Sequence, residues 1–203
     1  VVGEVRPESG IKILGVGQAP SRGVRKGEII DFEAAQACLH EALVKAEERS
    51  EVDVKSVYLA ISGAHIQAAN NRASLTVPDG EVVEDDIEEV KEAARDLRIP
   101  QTDAFIHSIV RNYYVDGQRM TRDPLGATGN ELAADYHIVY GARARIQNMI
   151  RCVREIPLEV EDIVFSPVAA AQVMVSRPHR EQGALLIDLG GGTTDYVLYH
   201  QGG

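Results

Sequence analysis

The sequence predicts an α/β protein, a mixed sheet with flanking helices that is interrupted by an inserted strand-helix-strand-strand unit. Three observations predict it. Strand-like and helix-like patterns alternate along residues 1–64 and 142–203. Over residues 65–141 that order changes. Near the C-terminal end, GALLIDLGGGTTDYVLY (183–199) places a glycine turn between two short apolar strands. At 203 residues, with 44% hydrophobic and 26% charged, the chain can bury a substantial core. Lys and Arg number 21 against 31 Asp and Glu, a net charge of −10 that argues against adhesion to nucleic acid or anionic lipid. No apolar run approaches the roughly 18 residues of a membrane span, and no signal peptide opens the chain. Cys38 and Cys152 fall within helical patterns, so reduced thiols and a cytoplasmic setting are expected.

Taken in order, 1–5 and 11–16 read as two strands about a turn of Pro7, Glu8, Ser9 and Gly10. Val1 opens inside an apolar run, so the chain is expected to be a piece of a longer protein. SRGVRKGEIID (21–31) clusters Arg22, Arg25 and Lys26, and is either a solvated loop or a basic loop facing phosphate or an acidic partner. Asp31 suits an N-cap for a helix over 32–49, where Phe32, Leu39, Ala42, Leu43 and Ala46 recur at helical spacing. A buried strand over 57–61 stops at Ser62-Gly63.

The inserted unit then reads as strand 73–77, helix 85–97 and strands 104–115 and 133–140. Glu84, Asp85 and Asp86 stand where a helix dipole favours acids, and Ile87, Val90, Ala94 and Leu97 share one face. DPLGATGNEL (123–132) is too long for a tight hairpin and is either a plain surface loop or a contact surface. Beyond Gly141 an amphipathic helix turns Ile146, Ile150 and Val153 inward and Arg143, Arg151 and Arg154 mostly outward, ending at Pro157. Strand 160–165 follows, and then Ser166 as N-cap and Pro167 at the first helical position of a small-residue helix.

The chemistry concentrates at 184–195. A buried strand over 184–187, with Leu189 beyond it, ends in Asp188 and a turn of Gly190, Gly191 and Gly192. Such a turn can adopt positive φ and lets backbone N–H groups approach an anion, with phosphate the obvious one. Asp188 is placed to hold a hydrated Mg²⁺, Thr193 and Thr194 add hydroxyls, and Asp195 holds the turn or a metal-bound water. His65, His107 and His137 lack metal-ligand spacing and are expected to be structural. Glu88 and Glu89 belong to a solvated helix face, Asp135 is expected to face solvent, and no Ser-His-Asp or Cys-His nucleophile pattern occurs.

DLGGGTTD resembles the second phosphate-binding hairpin of the actin-like ATPase superfamily. APSRGVRKGEIID, SVYLAISGAHI, DPLGATGNELAADYHIV and IQNMIRCVREIPLEVEDIVFSPVAAA are similar to successive blocks of one branch, the bacterial cell-division FtsA family, and cover almost the whole chain. The resemblance implies that 1–64 and 142–203 form the ribonuclease-H-like subdomain of the first lobe, truncated at its N-terminus, and that 65–141 is the family's insertion. It implies ATP and Mg²⁺ as ligands, with Gly190, Gly191, Gly192, Thr193, Thr194 and Asp195 on the nucleotide and Asp188 on the metal. It further implies self-association into filaments, an FtsZ contact through a second lobe, and a membrane tether through a C-terminal helix, neither of them in this chain. Later division proteins would contact the insertion, with Asp123, Pro124, Leu125 and Gly126 as candidates. The expected location is cytoplasmic, peripheral on the inner face of the membrane. DnaK-type relatives carry Glu-Pro where this chain has Ser166-Pro167, so at most slow hydrolysis is expected. Without the first phosphate loop, which would lie just before Val1, this half alone is expected to bind ATP weakly or not at all. The alternatives are a pilus-assembly relative that binds a membrane-protein peptide, and a DnaK-like or sugar-kinase-type ATPase.

Overall fold

The computed structural model describes residues 1–6, 10–120 and 123–200. In chain order the elements are β1 (Val2–Arg6), β2 (Gly10–Gly15), β3 (Val24–Arg25), β4 (Glu28–Ile29), α1 (Phe32–Ser50) and β5 (Ser56–Ile61). Next come β6 (Ile66–Thr76), α2 (Glu84–Arg95), β7 (Asp103–Val115), β8 (Gln118–Arg119) and β9 (Glu131–Ala142). The chain closes with α3 (Arg143–Arg154), β10 (Glu159–Phe165), α4 (Ser166–Met174), α5 (Arg177–Gln182), β11 (Ala184–Leu189) and β12 (Thr194–Tyr199).

Outside the middle segment the strands pair in twos: β1 with β2, β3 with β4, β11 with β12, all antiparallel, and β5 with β10 in parallel. A parallel pair requires a crossover, and here that crossover contains β6 to β9 and α3. Phe165 stands opposite Ile61, so both parallel strands end at one level. The turn expected at Pro7, Glu8 and Ser9 lies outside the described residues. Asp31 caps α1 as expected, its Oδ1 accepting from the Ala34 N–H at 3.1 Å.

The middle segment is a four-stranded antiparallel sheet in the order β6-β9-β7-β8, with α2 on one face. Val90, Ala94, Leu132, Ala134, Tyr136 and Ile138 form the centre of its core. In α2 the Asp86 carboxylate accepts from the Val83 N–H at 2.9 Å, which satisfies a donor that the helix start would leave bare. β6 starts at Ile66, not Ala73. Its first half, IQAANN, is poor in strand formers and is held by continuous pairing with β9 from Ile66↔Gly141 to Thr76↔Glu131.

Asp135 does not face solvent freely: it accepts from Tyr114 Oη at 3.0 Å, and Arg72 lies 3.6 Å from its other oxygen. The Tyr114–Asp135 hydrogen bond also raises the Tyr114 phenol above its ordinary value. At the other end of the sheet the Phe165 N–H donates to His107 Nε2 at 2.9 Å, tying β7 to the end of β10. This bond requires an unprotonated Nε2.

Burial lowers the affinity of His65, His107 and His137 for protons. Below about pH 6.5 the unfolded chain therefore takes up protons that the folded chain refuses, and stability falls as pH drops through that value. Denaturant midpoints measured at pH 7.5, 6.5 and 5.5 are expected to decline across this window. A flat profile down to pH 5.5 would contradict the desolvation of these rings.

Candidate nucleotide-phosphate hairpin

β11 and β12 pair from Ala184↔Tyr199 to Leu189↔Thr194, so Asp188 stands directly opposite Asp195 on one face at the turn end. Two like charges in that relation repel each other. Both carboxylates are half-buried, and neither has a hydrogen bond or ion pair with a described residue. A cation between or beside them would relieve the repulsion. Among the described residues no group of three His, Cys, Asp or Glu side chains could hold a metal by itself. The pair therefore suits a hydrated Mg²⁺ completed by water and phosphate oxygens, not an ion caged by protein alone.

The turn differs from the sequence expectation in its backbone. None of Gly190, Gly191 and Gly192 has positive φ. The Gly190 N–H is already donated to the Thr193 carbonyl at 2.9 Å, so it shapes the turn and is not free to meet an anion. Gly191 and Gly192 are exposed, and their N–H groups have no partner among the described residues. Gly192 sits close to the β3–β4 turn: a Cβ there would stand 3.3 Å from the Lys26 nitrogen and 3.5 Å from its Cα, a tight contact that Lys26 would have to yield to slightly.

β11 is not buried on both sides, as its apolar run suggested. Ala184, Leu186 and Asp188 face inward beside α4, but Leu185, Ile187 and Leu189 are 57%, 54% and 78% exposed. The reason is layering: α4 packs against the inward face, and among the described residues no element packs comparably on the other.

Gly192, Thr193, Thr194 and Asp195 line one side of a cavity of about 830 Å³. Lys26 and Gly63 line it as well, and β6, β7 and β9 form its far wall through residues such as Asn70, Arg111 and His137. Phe165, at the carboxyl end of β10, also contributes. The carboxyl ends of parallel strands are the usual place for ligands in α/β folds. Asp188 is not among the lining residues, whereas its pairing partner Asp195 is.

Ser166 does not cap α4 with its side chain. The helix is capped by Phe165 without a side-chain bond, and the Ser166 hydroxyl donates to the Ile61 carbonyl at 3.0 Å, joining β5 to β10. Pro167 follows within the first helical turn, where its missing N–H costs nothing.

Residues 63–140 match the family described as "SHS2 domain inserted in FTSA". The whole chain is 34% identical to the cell division protein FtsA of Pseudomonas aeruginosa, 33% to that of Neisseria meningitidis and 35% to that of Borreliella burgdorferi. This chain belongs to the FtsA family. It spans about half the length of those relatives: 48%, 49% and 49%. A solved "PilM-PilN type IV pilus biogenesis complex" shares the actin-like fold over 88% of this chain and 48% of that one, with a TM-score of 0.57 at 15% identity.

Within the FtsA insertion, 123–132 is not a plain surface loop. Val82 and Ala127 are hydrogen-bonded, as are Gly126 and Val82, and Asp116 Oδ1 accepts the N–H groups of Asn130 and Glu131, each at 2.9 Å. Of the four contact candidates, Pro124 is fully buried and Asp123 accepts from the Leu125 N–H at 3.0 Å. Gly126 serves a left-handed turn. Leu125 is 55% exposed and Asp123 is exposed as well, so these two present side-chain surface to a partner. Sequence reasoning left Lys26 among three loop cations. Arg22 and Arg25 lie away from the cavity, and Lys26 alone of the three lines it.

Proposed function

We propose that this chain is half of a nucleotide-dependent, FtsA-type actin-like scaffold that tethers FtsZ polymers to the inner membrane and recruits later division proteins. The observation that carries this reading is similarity to cell-division FtsA proteins along the entire chain, the glycine hairpin and the insertion included.

ATP would lie with its phosphates at the free N–H groups of Gly191 and Gly192 and the hydroxyls of Thr193 and Thr194. Asp188 and Asp195 would hold Mg²⁺ through its water shell, and the metal would neutralise phosphate charge. Ser166 cannot replace a glutamate that orients water, and its hydroxyl already serves Ile61. The site therefore suits a switch set by nucleotide occupancy, with hydrolysis slow. In the rest of such a protein a second lobe would contact FtsZ and a C-terminal amphipathic helix the membrane, leaving the insertion for protomers and later division proteins, Leu125 included. The location would be the inner face of the cell membrane. Among the described residues no helix is long and apolar enough to cross one.

The full-length protein is expected to carry FtsZ polymers down with liposomes when ATP is present. FtsZ remaining in the supernatant would refute the tethering role. A peptide-binding pilus-assembly role rests on likeness of fold alone. A DnaK-like or sugar-kinase role lacks a base at position 166.

A further inference from the structure

The β3–β4 hairpin turns through Lys26 and Gly27, with φ of 50° and 75°, the conformation of a tight two-residue hairpin. This turn touches three parts of the molecule. On one side the Lys26 backbone lies against Gly192 of the glycine hairpin, closely enough that a Cβ on Gly192 would press on it at 3.3 Å. On the second, Gly27 lies against the start of the insertion, where its missing Cβ would stand 2.4 Å from the Ser62 carbonyl oxygen. The Lys26 carbonyl is in turn 3.3 Å from the Cβ position of Gly63. On the third, Glu28 pairs with Arg145 at 2.6 Å, in the first turn of the helix that follows the insertion's last strand. Both roots of the insertion, near Gly63 and near Gly141, are therefore held by one six-residue hairpin that also abuts the glycine turn. Between those roots His65 is buried, its Nδ1 without a partner among the described residues, and its carbonyl lies 3.2 Å from the Cβ position of Gly141. This packing leaves little slack. Lys26 itself is exposed and lines the cavity with Gly192, Thr193 and Thr194, and its ammonium has no ion pair or hydrogen bond with a described residue.

We propose that Lys26 is a phosphate-contacting residue and that its turn relays occupancy of the glycine hairpin to the roots of the insertion. This rests on the reading of that hairpin as a phosphate site. An anion at Gly191 and Gly192 draws the free ammonium toward it, and the Lys26–Gly27 backbone, wedged against Ser62 and Gly63, carries the shift to β6. The Glu28–Arg145 pair carries it to α3. Coupling of this kind needs a contiguous element packed against both sites, and the hairpin is one.

The test uses the full-length protein, Mg²⁺ and a fluorescent ATP analogue, with hydrogen exchange read at 63–66 and 141–145. Lys26→Ala is expected to weaken nucleotide binding about tenfold, the loss of one charge-assisted bond, and Lys26→Arg to restore most of it. Arg145→Gln, remote from the phosphates, is expected to keep wild-type affinity and lose the nucleotide-dependent change in exchange at both roots. Wild-type affinity in Lys26→Ala, or roots whose exchange ignores bound nucleotide in the wild type, would overturn the proposal and leave the hairpin reading intact. A wild-type protein that binds no nucleotide would overturn the hairpin reading first and this one with it.

Discussion

Asp188→Ala in the full-length protein is expected to abolish the magnesium dependence of ATP binding and weaken affinity for MgATP by about a hundredfold. Removal of a metal-holding carboxylate forfeits both its bond to the hydrated ion and the ion's bridge to the phosphates, together about 3 kcal/mol. The direct opposition of Asp188 and Asp195 makes the effect diagnostic. In the absence of magnesium the two carboxylates repel each other and the anionic ligand, so Asp188→Ala should bind metal-free ATP no worse than the wild type. Titrations with and without Mg²⁺ check both halves of this expectation. Equal loss of affinity under the two conditions would show that Asp188 supports the strand and not the ion.

Tyr136→Ala is expected to be the most destabilising single truncation in the insertion, at about 3–5 kcal/mol. Tyr136 is 2% exposed at the centre of the core between α2 and the four-stranded sheet. Burial and a hydrogen bond with Tyr113 hold its phenol far above the ordinary range. Tyr136→Phe keeps the ring and removes only the hydroxyl, so it should cost about 1 kcal/mol. Chemical denaturation of the three proteins, with hydrogen exchange at β6 and β9 to localise the loss, separates packing from hydrogen bonding. A Tyr136→Ala protein as stable as the wild type would contradict the core described here.

Much of the fold was legible because local rules and tertiary structure agree. Asp31 announces α1, the acids at 84–86 announce α2, and apolar runs mark β5, β7 and β10 within a residue or two. β6 was cut short because Gln67, Ala68, Ala69, Asn70 and Asn71 have weak strand propensity, and their conformation is imposed by β9. The exposed side of β11 was misread because a continuous apolar run signals burial without saying what provides it. The glycine hairpin was legible as a motif, but its backbone was not: the freedom of glycine suggested positive φ, and closeness to Lys26 is what the structure uses. That closeness joins residues far apart in sequence, and no periodicity carries such information. The buried Pro124 and the Ile61-bound Ser166 hydroxyl are failures of the same kind, since each turns on a partner outside its own segment.

The most direct measurement is a crystal structure of the full-length protein with Mg²⁺ and a non-hydrolysable ATP analogue. The account predicts phosphate oxygens within hydrogen-bond distance of the Gly191 and Gly192 N–H groups, and a magnesium whose water shell meets Asp188. A triphosphate bound elsewhere, with the Gly190–Gly192 turn occluded or pointing away from it, would contradict the account.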